Sequence, residues 1–485
     1  MKILFIYSLE DIQSPDKPLS QPEEINFGLS YISAVLKQAG HETKLLLLSR
    51  RLGRRNRQSL DQTISQFKPD LIGFSAVSTE YPFICEQADY IKKTYPNIYL
   101  IIGGPHVSLN PAGVLDKAFD ALCVGEGEYP VLELVNMLAL GQKPSKIANF
   151  WLKGPAGIEI NQTRPFLTDL DSLPFPDREL WQAWIEDNPE ERYSVLLGRG
   201  CPFNCTYCSN HALRRLADGR YVRFRSPANI IAEIKSIATK IKKKKEIYLE
   251  VETFGVDKVW AKELFKELAD FNKQLDEPIA YGANIRVTPG VDFNDLFKAC
   301  QQANFKFINI GLESGSDRVR RQALNRFYDN QDVIKTVATA RQYGLQVALF
   351  NMIGLPGETY EDFKETIAVN RQCQSDWHMT SIFYPYPGTD LYKMCVEQNL
   401  LDDRPKKFFK ERVRSVLKLP NFSQGQIQKN FVWFDWYVYK GFKPWPKLLL
   451  KVFATKLRTW PELHYYFRRL TKSAWLKKIK SKLKS

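Results

Sequence analysis

Residues 193–211 read YSVLLGRGCPFNCTYCSNH, an apolar run, a Gly-Arg-Gly turn and three cysteines in immediate succession. The run Tyr193–Leu197 has the length and composition of a buried strand, and Gly198 and Gly200 end it sharply. Cys201, Cys205 and Cys208 follow in C-x3-C-x2-C spacing, so one short loop carries three thiols. Thiolates grouped in this way hold an inorganic centre. An iron–sulfur cluster takes cysteine ligands, and one with only three leaves an iron open to another ligand. His211, at C-x2-H spacing after Cys208, offers a second solution, a Cys3His zinc site. Structural zinc sites usually draw on two separated ligand pairs, whereas these four residues lie within eleven positions, which favours the cluster.

Downstream the strand–turn pattern repeats. EIYLEVETF (246–254), AYGANIRV (280–287), FKFINIGLES (305–314), QVALFNMIGL (346–355) and TSIFYPYP (380–387) are strand candidates separated by amphipathic stretches of helical length. Six such units between residues 191 and 400 predict a partial (β/α)6 barrel of TIM type, with its active site at the carboxyl ends of the strands. Residues 401–485 lack strand patterns and read as helical.

Upstream, residues 1–145 alternate short apolar runs (KILFIY, HETKLLLL, DLIGFSAVS, IYLIIGG, ALCVGEGE) with helical patterns such as GLSYISAVLKQAG. This rhythm predicts a separate, doubly wound Rossmann-like α/β sheet. Sharp turns follow its strands at Ser75–Thr79, Gly103–His106 and Gly125–Glu128. Ligands of open α/β sheets sit beyond the carboxyl ends of the strands, so Ser75, Gly103, Gly104, His106, Gly125 and Glu126 are candidate binding residues. Gly103-Gly104 would let backbone approach a flat ligand closely; its plain alternative is a structural turn. For His106 the plain alternative is a loop histidine with internal partners. Residues 146–190, including PFLTDLDSLPFPDREL, are rich in Pro, Gly and Asp and read as a surface linker.

At 485 residues and 44% hydrophobic, the chain is a multi-domain globular protein. Met1–Tyr7 is too short for a signal peptide and reads as a first strand; with no uncharged apolar run of bilayer-spanning length, a cytoplasmic location is expected. Cys85, Cys123, Cys300, Cys373 and Cys395 are scattered and read as small buried hydrophobes in a reducing compartment. The net charge of +15 is concentrated: Lys440–Ser485 holds 14 Lys plus Arg against the single acid Glu462, while residues 1–439 hold 55 against 53. The end of this tail, SAWLKKIKSKLKS, spaces Trp475, Ile479 and Leu483 along one helical face and has Tyr465, Tyr466 and Phe467 upstream, the pattern of a basic amphipathic helix. A solvated cap on the barrel is its bland reading and peripheral association with the anionic inner face of a membrane its functional one. Nucleic acid ranks below both, because no RNA-binding module accompanies the charge.

C-x3-C-x-aromatic-C, with Tyr207 as the aromatic, resembles the signature of the radical S-adenosylmethionine superfamily. FINIGLESGSDRVRRQALNR resembles the barrel strand of that family whose glutamate, here Glu313, contacts S-adenosylmethionine. MIGLPGETYEDF resembles the strand and loop that pack on adenine, with Ile353, Gly354 and Leu355 nearest, and FYPYPGTDLY resembles the sixth-strand region. GLSYISAVLKQAGHE, IIGGPHVSLNP and CVGEGEYPVLEL are similar to the cobalamin-binding domain that precedes the barrel in one large subgroup. The resemblance covers residues 1 to about 400. It implies a 4Fe-4S cluster on Cys201, Cys205 and Cys208, S-adenosylmethionine on the open iron, cobalamin in the first domain, and a reductase, flavodoxin or ferredoxin as electron donor. It also implies a 5′-deoxyadenosyl radical that removes hydrogen from an unactivated carbon, and a methyl group delivered from cobalamin.

The chain departs from the family pattern in two places. D-x-H-x-x-G is absent, so bound cobalt would lack the axial histidine that motif supplies. In Glu250-Val251-Glu252-Thr253-Phe254, Glu252 takes the place of the second acid of a pair that holds the methionine amino group, and the first is missing. Among the remaining residues, Glu313 ends an apolar run where an unpaired carboxylate is costly; a ligand would relieve it, and so would an internal ion pair with Arg286, itself a candidate cofactor residue. Thr359 and Asp362 form a helix-start pattern. A radical ring closure or rearrangement without methyl transfer is the alternative reaction, and a cobalamin- or zinc-binding sensor the alternative of another class. Thiolation of transfer RNA is disfavoured, because Cys85 and Cys123 are too isolated to hold the extra cluster it needs. The basic aromatic tail points to a small-molecule substrate of lipid or prenoid type.

Overall fold

The computed structural model describes residues 1–187, 192–239, 246–402, 411–460 and 463. They form two compact units: Met1–Asn204 with Cys208–Ala283 and Tyr386–Asp390, and Cys205–Tyr207 with Asn284–Pro385 and the chain from Leu391 onward.

The first sheet contains β1 (Lys2–Ser8), β2 (Glu42–Leu48), β3 (Leu71–Ser75), β4 (Tyr99–Gly103), β5 (Ala121–Cys123), β6 (Phe150–Gly154) and β7 (Gly157–Ile160). Their order is β2-β1-β3-β4-β5-β6-β7. Strands β1 to β5 pair in parallel, Ile3 beside Leu71 and Thr43. Near-continuous apolar runs are required because both faces are covered. Ile3 and Phe5 enter one core with Leu45, Leu47 and Ile101, while Leu4 and Ile6 enter another with Leu46, Ile72 and Ile102. The direction of winding reverses between β1 and β3, the switch point where such sheets leave a crevice at their carboxyl edge. Residues 146–190 are only in part the linker the sequence predicted. Strands β6 and β7 form an antiparallel hairpin on β5, and Phe150 and Leu152 are buried there.

The second sheet begins with β8 (Arg192–Leu196). The short antiparallel pair β9 (Gly198–Arg199) and β10 (Arg223–Phe224) intervenes before β11 (Glu246–Phe254), β12 (Ala280–Ile285), β13 (Phe305–Glu313), β14 (Gln346–Ile353) and β15 (Trp377–Ile382). The order β15-β14-β13-β12-β11-β8 is that of an open six-stranded barrel sheet, as the sequence predicts. The last strand starts three residues before the predicted TSIFYPYP and stops at Ile382, ahead of Pro385. Thr359 caps the helix Tyr360–Cys373 in a reciprocal box with Asp362, as expected.

The described part of the carboxyl-terminal region carries two helices. The helices Gln424–Tyr439 and Trp445–Arg458 bury Ile427, Phe431, Phe434, Val438, Leu448 and Val452 in one core with Ile353, Leu355 and Ile382. The amphipathic stretch 473–485, with Trp475, Ile479 and Leu483, and the aromatics Tyr465, Tyr466 and Phe467 lie outside the described residues. No helix among the described residues is long and apolar enough to cross a membrane.

Candidate active site

In the first unit a cavity of about 440 Å³ opens at the carboxyl edge of β1, β3 and β4. Of the residues singled out from sequence, Ser75, Gly103, Gly104, Gly125, Glu126 and Glu252 line it. Gly104 has φ +98°, and a side chain there would place Cβ 2.9 Å from both the N and the O of Ala76. Only glycine fits that turn, and the result is bare backbone facing the cavity. The amide of Gly125 donates to Ser108 Oγ at 3.0 Å, which fixes the next turn.

Glu126 is committed to protein partners. Arg199 Nη1 lies 3.1 Å and Arg223 Nη2 2.9 Å from its Oε1, and the Leu167 amide donates to Oε2 at 2.9 Å. Burial works to raise its pKa, but Arg199 and Arg223 hold it below the usual carboxylate range. Arg199 also binds Glu128 at 2.5 Å. Gly198 and Gly200 flank Arg199 because β10 crosses directly over them; a Cβ on either would strike the backbone of Arg223 or Tyr221. His106 does not line the cavity. It is buried, its Nδ1 lies 3.0 Å from Ser78 Oγ, and its ring lies 4.3 Å from that of Tyr81. Burial alone lowers its pKa to about 4, and Nε2 has no partner.

Glu252 stands exposed at the end of β11, and Glu250, two positions back, is half-buried. Burial, helped by Glu252 and Glu23, pushes Glu250 up to about 7. Near Glu252 the Tyr221 phenol is raised by burial, by that carboxylate and by the Cys208 and Cys201 sulfurs. None of the three loop cysteines forms a disulfide; Cys201 and Cys208 are half-buried and Cys205 is buried. Among the described residues no three His, Cys, Asp or Glu side chains converge on a single ion. His211, the fourth ligand of the zinc alternative, is instead bound to Asp390 Oδ2 at 2.9 Å and Arg215 Nη2 at 2.6 Å.

In the second unit Arg286 Nη1 donates to Cys205 Sγ at 2.7 Å. Outer hydrogen bonds of this kind orient and tune ligating sulfurs. The donor set therefore fits an iron–sulfur cluster. Arg286 was also the internal partner expected for Glu313; the partner is Arg326, whose Nη1 lies 2.6 Å from Glu313 Oε1. Tyr207 OH donates to the same oxygen at 3.0 Å. Glu313 has φ +60° after a register shift at Gly311, and Tyr328 OH donates to the carbonyls of Gly311 (3.1 Å) and Leu312 (2.5 Å). A left-handed glutamate at a strand end is strain of the kind that functional sites store.

Ile353 and Leu355 are core residues, so what they present at the turn is backbone. Gly354, at φ +80°, and Leu355 donate their amides to Glu358 Oε2 at 2.5 and 3.1 Å. Burial raises Glu358 to about 8, and its Oε1 is buried without a partner. Arg326 and Glu358 were both missed from sequence. Arg326 lies in an unremarkable Asn-Arg-Phe-Tyr string, whereas Glu358 closes the Gly-Leu-Pro-Gly-Glu turn and was legible there as an acid in a buried glycine turn.

Residues 195–369 match the radical SAM superfamily, and residues 20–135 match the B12 binding domain. An uncharacterized methyltransferase of Pyrococcus horikoshii is 27% identical over 93% of this chain and 94% of its own length. The anaerobic magnesium-protoporphyrin IX monomethyl ester cyclase of Rubrivivax gelatinosus is 22% identical over 82% of this chain and 71% of its own. The fold is shared with the radical S-adenosylmethionine methyltransferase TsrM from Kitasatospora setae, solved with cobalamin and a [4Fe-4S] cluster bound. The TM-score is 0.63 at 16% identity, over 94% of this chain and 90% of that one. The chain carries a radical SAM domain, with a B12 binding domain ahead of it.

Proposed function

We propose that the protein is a cobalamin-dependent radical S-adenosylmethionine methyltransferase acting on an unactivated carbon. The observation that carries the reading is the glycine-walled cavity at the β1/β3 switch point, in a chain that also supplies three cysteines in C-x3-C-x2-C spacing, none of them in a disulfide. When bound, the cluster and S-adenosylmethionine supply a 5′-deoxyadenosyl radical, and cobalamin supplies a methyl group.

Each residue has a defined task. Cys201, Cys205 and Cys208 would hold the cluster, with Arg286 donating to the Cys205 sulfur. Tyr207 and Arg326 converge on one oxygen of Glu313 and fix its carboxylate, which leaves the other oxygen to accept from a nucleoside hydroxyl or an ammonium. Glu358 pins the Gly354–Leu355 turn against which adenine would lie. Glu252 is the carboxylate offered to the methionine amino group. Gly103, Gly104 and Ser75 give a flat ring a close backbone floor, and Arg199 with Glu126 rigidifies the rim. No axial histidine comes from a D-x-H-x-x-G motif, and His106 has turned away to Ser78. A one-electron donor of reductase, flavodoxin or ferredoxin type is required. The substrate proposed is a small molecule of lipid or prenoid type, met where region 440–485 lies against an anionic membrane.

The test is anaerobic turnover of cobalamin-loaded protein with reductant, methyl-labelled S-adenosylmethionine and prenoid or lipid candidates. Expected are 5′-deoxyadenosine and a product heavier by one labelled methyl group. A product without the label, formed together with 5′-deoxyadenosine, moves the assignment to ring closure or rearrangement. That second reading is favoured by the likeness to the Rubrivivax gelatinosus cyclase. Zinc in place of iron in anaerobically isolated protein would sink both.

A further inference from the structure

The helix Trp445–Arg458 has two apolar faces. Leu448 is 1% and Val452 7% exposed, and both enter the core shared with the helix Gln424–Tyr439. At about 100° per residue, the opposite side carries Pro446, Leu449, Leu450, Phe453, Ala454 and Leu457. That side is open to solvent, Leu450 being 69% and Phe453 52% exposed, and Trp445, at the start of the helix and off this side, is 65% exposed. Lys447, Lys451 and Arg458 border the apolar stripe on one flank and Lys456 on the other. Lys451 is held by Asp435 at 3.0 Å, which fixes the helix on its neighbour. Phe442, Trp460 and Leu463 add exposed apolar surface at the two ends. An ordinary surface helix turns charge to water on the side away from the core. This one turns leucine, phenylalanine and tryptophan outward, with cations along both margins, the arrangement of a helix lying in a bilayer interface.

We propose that this outward face seats on an anionic lipid bilayer, Leu450 and Phe453 entering the headgroup boundary and the flanking cations meeting phosphates. Charge selects the occupant. Lys440–Ser485 is +13 net, so a second copy would bring two strongly cationic faces together, whereas anionic headgroups neutralise both margins. Residues 1–439 are nearly neutral, so the attraction is local to this end of the chain. The proposal gives the membrane part of the functional reading its surface and rests on that part; it needs no methyl transfer.

The test is flotation of the full chain, isolated anaerobically with its cluster, on phosphatidylcholine vesicles with and without phosphatidylglycerol. The parent chain floats with the anionic vesicles only and is released as ionic strength rises. Leu450→Glu with Phe453→Glu weakens binding more than tenfold while melting temperature and cluster absorbance stay at parent values. Lys447→Gln with Lys456→Gln, both at exposed positions that leave the core untouched, weakens it about fivefold per cation removed. Equal binding to neutral vesicles, or parent-like flotation of both double variants, overturns the proposal. So does a stable dimer in light scattering that Leu450→Glu and Phe453→Glu dissolve, because a second copy would then own the face. Vesicle binding is read without catalysis, so either result leaves the methyl-transfer reading to its own assay.

Discussion

The cavity of the first unit and the carboxylate cluster of the second are built from different materials. Around the cavity the decisive positions are glycines, Gly103, Gly104 and Gly125, whose backbone faces the space, and apart from Glu252 the charged residues there are spent on one another in the network of Arg199, Glu126, Glu128 and Arg223. Around Glu313 the decisive groups are polar and charged side chains, Arg326 and Tyr207 on the carboxylate, with Arg286 on the Cys205 sulfur nearby in the chain's second unit, and Glu313 itself sits on a strained strand end. A backbone floor suits a large flat ligand bound mainly by shape. A charge-built site suits small polar groups whose ionisation must be controlled. The two should therefore fail differently when mutated.

The largest effect is expected at the sulfurs. Cys201→Ser, Cys205→Ser or Cys208→Ser should abolish cluster assembly, read as iron content and 5′-deoxyadenosine formation, while cobalamin binding to the first unit persists. Loss of both ligands from any one of these variants would mean that the two sites are not independent.

Next comes the buried ion pair. Arg326→Met leaves the Glu313 carboxylate with Tyr207 alone, and removing one member of a buried pair costs about 3–5 kcal/mol. Denaturant unfolding should show that loss. A fall under about 1 kcal/mol would mean that Glu313 is solvated rather than charge-held.

His106 supplies a smaller, pH-dependent contrast. Its folded-state pKa is lowered from the ordinary 6.5 to about 4 by burial. The unfolded chain takes up the proton first, so the contribution is complete above 6.5 and is lost as pH falls from there through about 4. The loss is about 3 kcal/mol at the acid end of that window. His106→Gln should remove that part of the acid slope and leave cobalamin affinity unchanged, since the side chain bonds Ser78. A variant with parent-like acid sensitivity would show the ring already solvated.

How much of each region was legible in the sequence follows from the same contrast. The first sheet announced itself because strands buried on both faces must be continuous apolar runs, and its turns because Gly103-Gly104 and Gly125 punctuate them. The cysteine loop was legible from spacing alone. The hairpin Phe150–Ile160 was not, since its strands are four and five residues long and sit among Pro, Gly and Asp. Arg326 was invisible because nothing local requires an arginine thirteen residues after Glu313; only the closed fold brings the two together. Glu126 was legible as a residue at the edge of the cavity but not as one already neutralised, because Arg199 and Arg223 lie far along the chain.

The smallest effect on stability should come from the most intrusive change to the cavity. In Gly104→Ala the new methyl meets Ala76 N and O at 2.9 Å, and φ +98° disfavours any side chain. The colliding atoms are backbone of the buried Ala76, so the turn itself must move, at a cost to folding of about 1–3 kcal/mol. The shift moves the backbone floor that a flat ring would rest on, so cobalamin affinity should fall by more than the stability does, with iron content at parent level. Equilibrium titration of the iron-loaded variant with cobalamin, set beside its unfolding curve, separates the two. If affinity holds while stability drops, the floor is a turn and nothing more, and the distinction between a backbone-built and a charge-built site fails at its first term.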